Sequence, residues 1–204
     1  MSKDPNNSPY PELGQVRTIA VTPEISKLFE LCILQKIREE VDERKLLHSN
    51  QRGFVPGKSC EDNLIDLAEI MQQAKDLEQS YREARTVNRN RVKTFVLFVD
   101  LKKAFDKVPR RNLIIKMLNS GIPTSLVQTV HAMLQGTKAQ VGSDIVNMDV
   151  GVPQGAVLSP TLFALYINDL IAEMNVDSIC YAFADDLVIV AKGEFQLNDV
   201  ISRI

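Results

Sequence analysis

Tyr181-Ala182-Phe183-Ala184-Asp185-Asp186-Leu187-Val188-Ile189-Val190-Ala191 sets two adjacent acids between two uncharged apolar runs. Each run is short and rich in β-branched or aromatic residues, so each reads as a strand. The Asp-Asp pair then falls at the tight connection between them, and two carboxylates are held at one point on a stiff scaffold. The same residues read equally as an acidic hairpin turn, because Asp favours turns through local hydrogen bonds. The stretch alone leaves both readings open.

Composition narrows the field. The chain has 204 residues, 45% hydrophobic and 25% charged, enough for one large domain or two lobes sharing a core. A net charge of −2 gives no basic footprint of the kind that marks a nucleic-acid binder. Cys32, Cys60 and Cys180 are odd in number and widely spaced, which suits a reducing compartment better than a disulfide framework. His48 and His131 have no metal-ligand spacing. The polar, Pro-rich start does not read as a signal peptide, and no uncharged apolar run reaches the roughly 18 residues of a membrane span. The expectation is a soluble, intracellular protein without a membrane partner.

Upstream of the Asp-Asp stretch, residues 1–14 read as a disordered lead-in and 15–21 as a short extended segment. Thr22-Pro23 predicts a helix start with Thr22 as the cap, and Ile25, Leu28, Phe29, Cys32, Ile33 and Ile37 keep helical spacing to about Asp42. Gln51-Arg52-Gly53-Phe54-Val55-Pro56-Gly57-Lys58-Ser59 predicts an irregular loop. Arg52 and Lys58 are its candidate phosphate contacts, and an ordinary surface loop is the plainer alternative. A helix from about Glu61 should bury Leu64, Leu67, Ala68 and Met71. The basic residues Arg82, Arg85, Arg89, Arg91 and Lys93 fit a solvated helix end or a nucleic-acid backbone contact.

Thr94-Phe95-Val96-Leu97-Phe98-Val99-Asp100 predicts a buried strand ending in a carboxylate, which is costly there unless solvated, paired or bound to a metal. Pro109 and Pro123 each open a helix, residues 138–150 alternate as a hairpin, and Ser159-Pro160 caps a further helix. Between them, Gly151-Val152-Pro153-Gln154-Gly155 forms a glycine-flanked loop around one glutamine. Helices mixed with hairpins give an α+β fold. If the strand ending at Asp100 neighbours the Asp185-Asp186 hairpin, three carboxylates converge. Like charges so packed need a cation between them, and hard oxygen ligands point to Mg²⁺. Two such ions about 3.5–4 Å apart are the machinery of nucleotidyl transfer.

These motifs, in this order, resemble the reverse transcriptase domain of non-LTR retrotransposons and group II intron proteins. Phe98-Val99-Asp100-Leu101-Lys102-Lys103-Ala104-Phe105-Asp106-Lys107-Val108 looks like the first catalytic palm motif. Gly151-Val152-Pro153-Gln154-Gly155 looks like the Pro-Gln-Gly motif, and Phe183-Ala184-Asp185-Asp186 like the second catalytic motif. Gln51-Arg52-Gly53-Phe54 with Gly57-Lys58-Ser59 looks like the fingers motif. The resemblance runs from about Arg17 to Ala191. It implies a right-hand polymerase with fingers at 15–93, a palm at 94–191 whose antiparallel sheet packs on helices, and a truncated end at 192–204 with the thumb absent.

The resemblance also implies roles. Asp100 and Asp185 would hold two Mg²⁺ ions (with Mn²⁺ as a substitute), Asp186 would be the supporting acid, and the Leu101 carbonyl would complete one ion's shell. Phe105 would lie under the incoming sugar and exclude a 2′-hydroxyl. Gln154 and Gly155 would meet the incoming nucleotide, and Arg17 its triphosphate. The partners implied are an RNA template, a DNA primer and dNTPs, and the site of action is the nucleus if the source is a eukaryotic retroelement. Departures are Thr18 where many relatives have proline, Val55 where many have arginine, and Phe183 for tyrosine. Rival readings are a catalytically incompetent truncated remnant, a nucleic-acid-binding or maturase-type splicing module, and an RNA-dependent RNA polymerase, the last opposed by Phe105.

Overall fold

A computed structural model describes residues 19–83, 93–141 and 144–204. The elements in chain order are α1 (Glu24–Glu43), α2 (Cys60–Glu83), β1 (Thr94–Asp100), α3 (Arg110–Asn119), α4 (Thr124–Leu134), β2 (Lys138–Val141), β3 (Asp144–Asn147), α5 (Ser159–Met174), β4 (Ile179–Phe183), β5 (Asp186–Lys192) and α6 (Glu194–Arg203), with a 3₁₀ turn at Phe105–Lys107. The mixture is the expected α+β fold.

The apolar runs either side of the Asp-Asp pair form the hairpin β4–β5, and β1 joins it on the β5 side, giving the antiparallel order β1-β5-β4. Alternation along each strand divides the sheet. Leu97, Val99, Cys180, Ala182, Leu187 and Ile189 belong to one face and enter the core with the helices. The other face is covered at β4, where Tyr181 is buried, and open at β1, where Phe98 is 71% exposed. Lys138–Val141 and Asp144–Asn147 make the separate hairpin that alternation predicted.

One apolar core runs from Ile33 of α1 through Leu113 and Met117 of α3, Val127 and Val130 of α4 and Phe163 and Ile171 of α5 to Val200 of α6. Each fully buried side chain of this kind contributes roughly 1.5–3 kcal/mol. Helical spacing puts Leu126, Val127, Val130 and Leu134 on one side of α4, and all four are buried.

The structure differs from the sequence reading at four places. Thr22 is not a cap: Pro23 holds the N-cap position of α1 without a side-chain hydrogen bond, and the Thr22 hydroxyl is buried with no partner among the described residues. Only the C-terminal part of the α1 stripe is buried, while Ile25, Leu28, Phe29 and Cys32 are exposed. On α2, Leu67 is buried, but Leu64, Ala68 and Met71 are exposed. Ser159 is the first residue of α5, not its cap. Leu158 precedes it in helical geometry with no side-chain cap of its own. Periodicity marks which residues share a face, but burial needs a second surface against that face.

Candidate active site

The Asp-Asp connection is as tight as a hairpin allows. Phe183 pairs with Asp186, so Ala184 and Asp185 are the only loop residues. Two-residue hairpin loops match strand twist when the first loop residue has positive φ, a region L residues with a Cβ seldom occupy. Ala184 takes φ 60°.

The Gln51–Gly53 segment holds this strained turn. Gln51 forms a parallel bridge with Ala182. The Arg52 N–H donates to the Ala182 carbonyl at 3.0 Å, and the Ala182 N–H donates to the Asn50 carbonyl at 3.0 Å. The Asn63 amide adds a bond to the same Ala182 carbonyl at 3.2 Å. Gly53 lies so close to the turn that a side chain there would meet the backbone of Phe183 and Ala184. The loop expected to approach a ligand thus approaches the Asp-Asp turn, and it also covers the outer edge of β4, which an unpaired edge strand needs.

The register sets Asp100 directly opposite Asp186 across β1–β5, with Asp185 next to them in the turn. Asp100 and Asp186 are exposed and Asp185 is half-buried. Among the described residues, none of the three carboxylates makes a side-chain hydrogen bond or ion pair. No group of three or more His, Cys, Asp or Glu side chains among those residues is close enough to hold a metal ion as placed. The donor set is nonetheless hard oxygen without nitrogen or sulfur, the set that suits Mg²⁺. The Leu101 carbonyl already accepts the Ala104 N–H at 3.1 Å, leaving its second lone pair. Asp100 and Leu101 also line a cavity of about 550 Å³ whose wall includes Phe163 and Ile167.

Phe105 begins the 3₁₀ turn five residues after Asp100. Its ring stacks on Phe163 at 4.6 Å between centroids and 20° between planes, and meets Phe54 edge-on at 6.4 Å. The Gln154 loop adjoins this turn: the Val152 N–H donates to the Phe105 carbonyl and the Gly151 N–H to the Val108 carbonyl, both at 2.9 Å. Arg110 anchors the same loop, its Nε donating to the Gly151 carbonyl at 2.7 Å and its other arm to the Leu134 carbonyl. Burial lowers the Arg110 guanidinium from its ordinary value, opposed by the charge of Asp149. On its far side, the Gln154 carbonyl accepts the Ala20 N–H at 2.6 Å.

Strand register brings Asp100, Asp185 and Asp186 together, and Leu101 and Phe105 follow Asp100 directly, while the Gln154–Gly155 loop is tied to the Phe105 turn through Gly151 and Val152. Arg52 is differently engaged: its guanidinium pairs with Asp66 of α2 and lies 5.8 Å from the Tyr181 ring centroid. The Tyr181 hydroxyl is pushed up by burial first and by Asp66 second, with Arg52 opposing. Lys58 donates to the Ser49 carbonyl at 2.8 Å. Arg17, the side chain of Arg82, and Arg85, Arg89 and Arg91 lie outside the described residues.

Sequence reasoning missed two supports. Asn50, Asn168 and Asn175 fasten the 46–50 loop to α5 and β4: the Asn50 amide donates to Asn175 Oδ1 and the Cys180 carbonyl, both at 3.0 Å, and the Asn168 amide to the Leu46 carbonyl at 2.8 Å. Glu30, 7% exposed, accepts backbone N–H groups at the start of α5. Glu30 stands one turn before Ile33 and Leu34, at the head of the buried stripe of α1.

An antiparallel sheet backed by helices thus carries Asp100, Asp185 and Asp186 at one end. Residues 3–204 match the family described as reverse transcriptase (RNA-dependent DNA polymerase), and the chain belongs to that family. It is similar to the probable RNA-directed DNA polymerase from transposon X-element of Drosophila melanogaster, 28% identical over 196 residues, covering 92% of this chain and 20% of the relative. It is also similar to the putative COX1/OXI3 intron 2 protein of Saccharomyces cerevisiae, 24% identical over 182 residues, covering 83% of this chain and 19% of the relative. In fold it is similar to apo telomerase from Candida tropicalis, with a TM-score of 0.60 at 12% identity over 85% of this chain and 33% of the telomerase chain. The chain spans about a fifth of the length of the curated relatives it matches. Among the described residues, no helix is long and apolar enough to cross a membrane.

Proposed function

We propose that this domain performs RNA-templated DNA synthesis, in which a primer 3′-hydroxyl attacks the α-phosphate of a deoxynucleoside triphosphate. The observation that carries the proposal is Asp100 opposite Asp186 with Asp185 adjacent, three acids without a cationic partner among the described residues. Adjacent carboxylates repel one another, and a bound cation relieves that repulsion. Reverse transcriptases as a family depend on divalent metal ions, and the proposed occupant here is Mg²⁺. Asp100, Asp185, Asp186 and the free lone pair of the Leu101 carbonyl would hold it. When bound, the ions would activate the attacking oxygen and stabilise the leaving one.

The remaining roles belong to groups of this chain. Phe105, fixed by its stack on Phe163, would limit the space beneath the sugar and reject a 2′-hydroxyl. Gln154 would orient the incoming nucleotide from a loop tied to both the Phe105 turn and Ala20. Arg17 would meet the triphosphate. Arg52 would act indirectly, by holding the Asp-Asp turn through its backbone, and Lys58 is the more available of the two cations for a nucleic-acid backbone.

Primer extension on an RNA template with Mg²⁺, comparing this chain with Asp185→Asn, tests the proposal. Extension by the parent alone is the expected result. Equal extension by both would overturn the metal assignment, and extension by neither would remove the reading for this chain.

A further inference from the structure

α5 begins without a local cap. Leu158 occupies its N-cap position with no side-chain bond, and Pro160 follows in the first turn. Helix starts leave backbone N–H groups without intrahelical partners, and capping side chains normally supply acceptors. Here the acceptor comes from α1, more than a hundred residues earlier. Glu30 Oε2 accepts the Val157 N–H at 2.6 Å and the Leu158 N–H at 3.2 Å. Glu30 is 7% exposed and has no cationic partner among the described residues. A buried carboxyl group is costly without hydrogen-bond partners, and these two N–H groups at the positive end of α5 supply them.

Val157 stands three residues after Gln154, and the other side of that loop is also tied to the α1 segment. The Ala20 N–H donates to the Gln154 carbonyl at 2.6 Å. Gly155, at φ +92°, lets the strand of chain at Ala20 approach, since a Cβ there would stand 3.1 Å from the Ala20 carbonyl oxygen. The loop that presents Gln154 is thus gripped at two points by one segment, residues 20–30. We infer that Glu30 is a positioning residue: its carboxylate caps α5 from outside the palm and sets the placement of Gln154 for the incoming nucleotide. The nucleotide part of this inference rests on the function proposed above, while the clamp itself does not.

Glu30→Gln and Glu30→Met test it, with backbone amide hydrogen exchange read residue by residue and dTTP with Mg²⁺ as the binding probe. Glu30→Met removes the acceptor, and Glu30→Gln keeps a neutral one and should give a partial rescue, because charge-assisted bonds are about twice as strong as neutral ones. The expected result for Glu30→Met is faster exchange at Val157, Leu158 and also at Ala20, whose N–H is held by the Gln154 carbonyl, by about tenfold or more, with Ile189 of β5 unchanged. Weakening of dTTP binding by about tenfold accompanies it, with Glu30→Gln between Met and the parent. Faster exchange confined to Val157 and Leu158, or an equal rise at Ile189, would overturn the inference by making Glu30 a local cap or a general structural residue. Unchanged dTTP binding in Glu30→Met would overturn it as well. A parent chain that binds no dTTP would instead count against the role of Gln154, and the exchange measurements would still decide the clamp.

Discussion

Gly53 lies against Ala184: a Cβ on Gly53 would fall 2.7 Å from the Phe183 carbonyl carbon and nearer still to the Ala184 nitrogen. The neighbour is backbone of a two-residue turn already at positive φ, so it cannot yield as the tip of a flexible side chain would. Gly53→Ala should therefore move the Asp185 turn. The expected cost is about 1–3 kcal/mol of stability, as for other overpacked sites. Primer extension should fall by more than the loss of folded protein explains, when a denaturant melt and extension well below the melt are compared.

Asp100 and Asp186 face each other with no compensating charge among the described residues. Like charges directly opposite across a ladder are destabilising. In a chelating buffer, Asp100→Asn or Asp186→Asn should raise the melting temperature by about 1–2 °C. With Mg²⁺ present, Asp100→Asn should cut primer extension by at least about 10²-fold. A melting temperature that falls in chelator would show that the carboxylates are held by something other than a cation.

Phe105 stacks on Phe163, so Phe105→Ala removes both the proposed sugar contact and a ring contact worth about 0.5–1.5 kcal/mol. The two effects separate in the ratio of ribonucleotide to deoxyribonucleotide kcat/KM, which does not depend on how much protein is folded. That ratio should rise by about tenfold or more if the ring excludes a 2′-hydroxyl. An unchanged ratio would leave Phe105 a structural residue.

Burial pushes the Cys180 thiol from its ordinary 9.0 up to about 12. The unfolded thiol ionises first as pH rises, while the folded one stays neutral. Stability from this group is thus complete below about pH 9.0 and is lost as pH approaches about 12. Thermal melts across that window should fall less steeply for Cys180→Ala than for the parent. Iodoacetamide at pH 8 should alkylate the exposed Cys32 and Cys60 and spare Cys180 until the chain unfolds.

Much of the fold was legible because it rests on local chemistry. The apolar runs around Asp185-Asp186 and before Asp100 became strands, the prolines at 109 and 123 preceded helices, and the alternating 138–150 region became a hairpin. The candidate site was legible for the same reason, since its acids sit at strand ends and its glutamine in a glycine loop. Arg52 shows the limit. Its position in a loop gave no sign of Asp66, which stands fourteen residues later on α2, or of the Tyr181 ring on β4. Leu64 and Met71 show another, because a helix stripe predicts a face and not whether anything covers it.

The sequence by itself determined the element types, the order of the motifs and the residue types of the candidate site: three carboxylates, a phenylalanine and a glutamine. Only the tertiary structure decided that β1 lies beside β5, that Asp100 falls opposite Asp186, and that Glu30 reaches across to α5. Periodicity and turn chemistry act over a few neighbouring residues and are written in the order of the chain. Strand register, ion-pair choice and long-range caps depend on which surfaces meet once the core forms, and a slip of one residue would turn Asp100 to the opposite face.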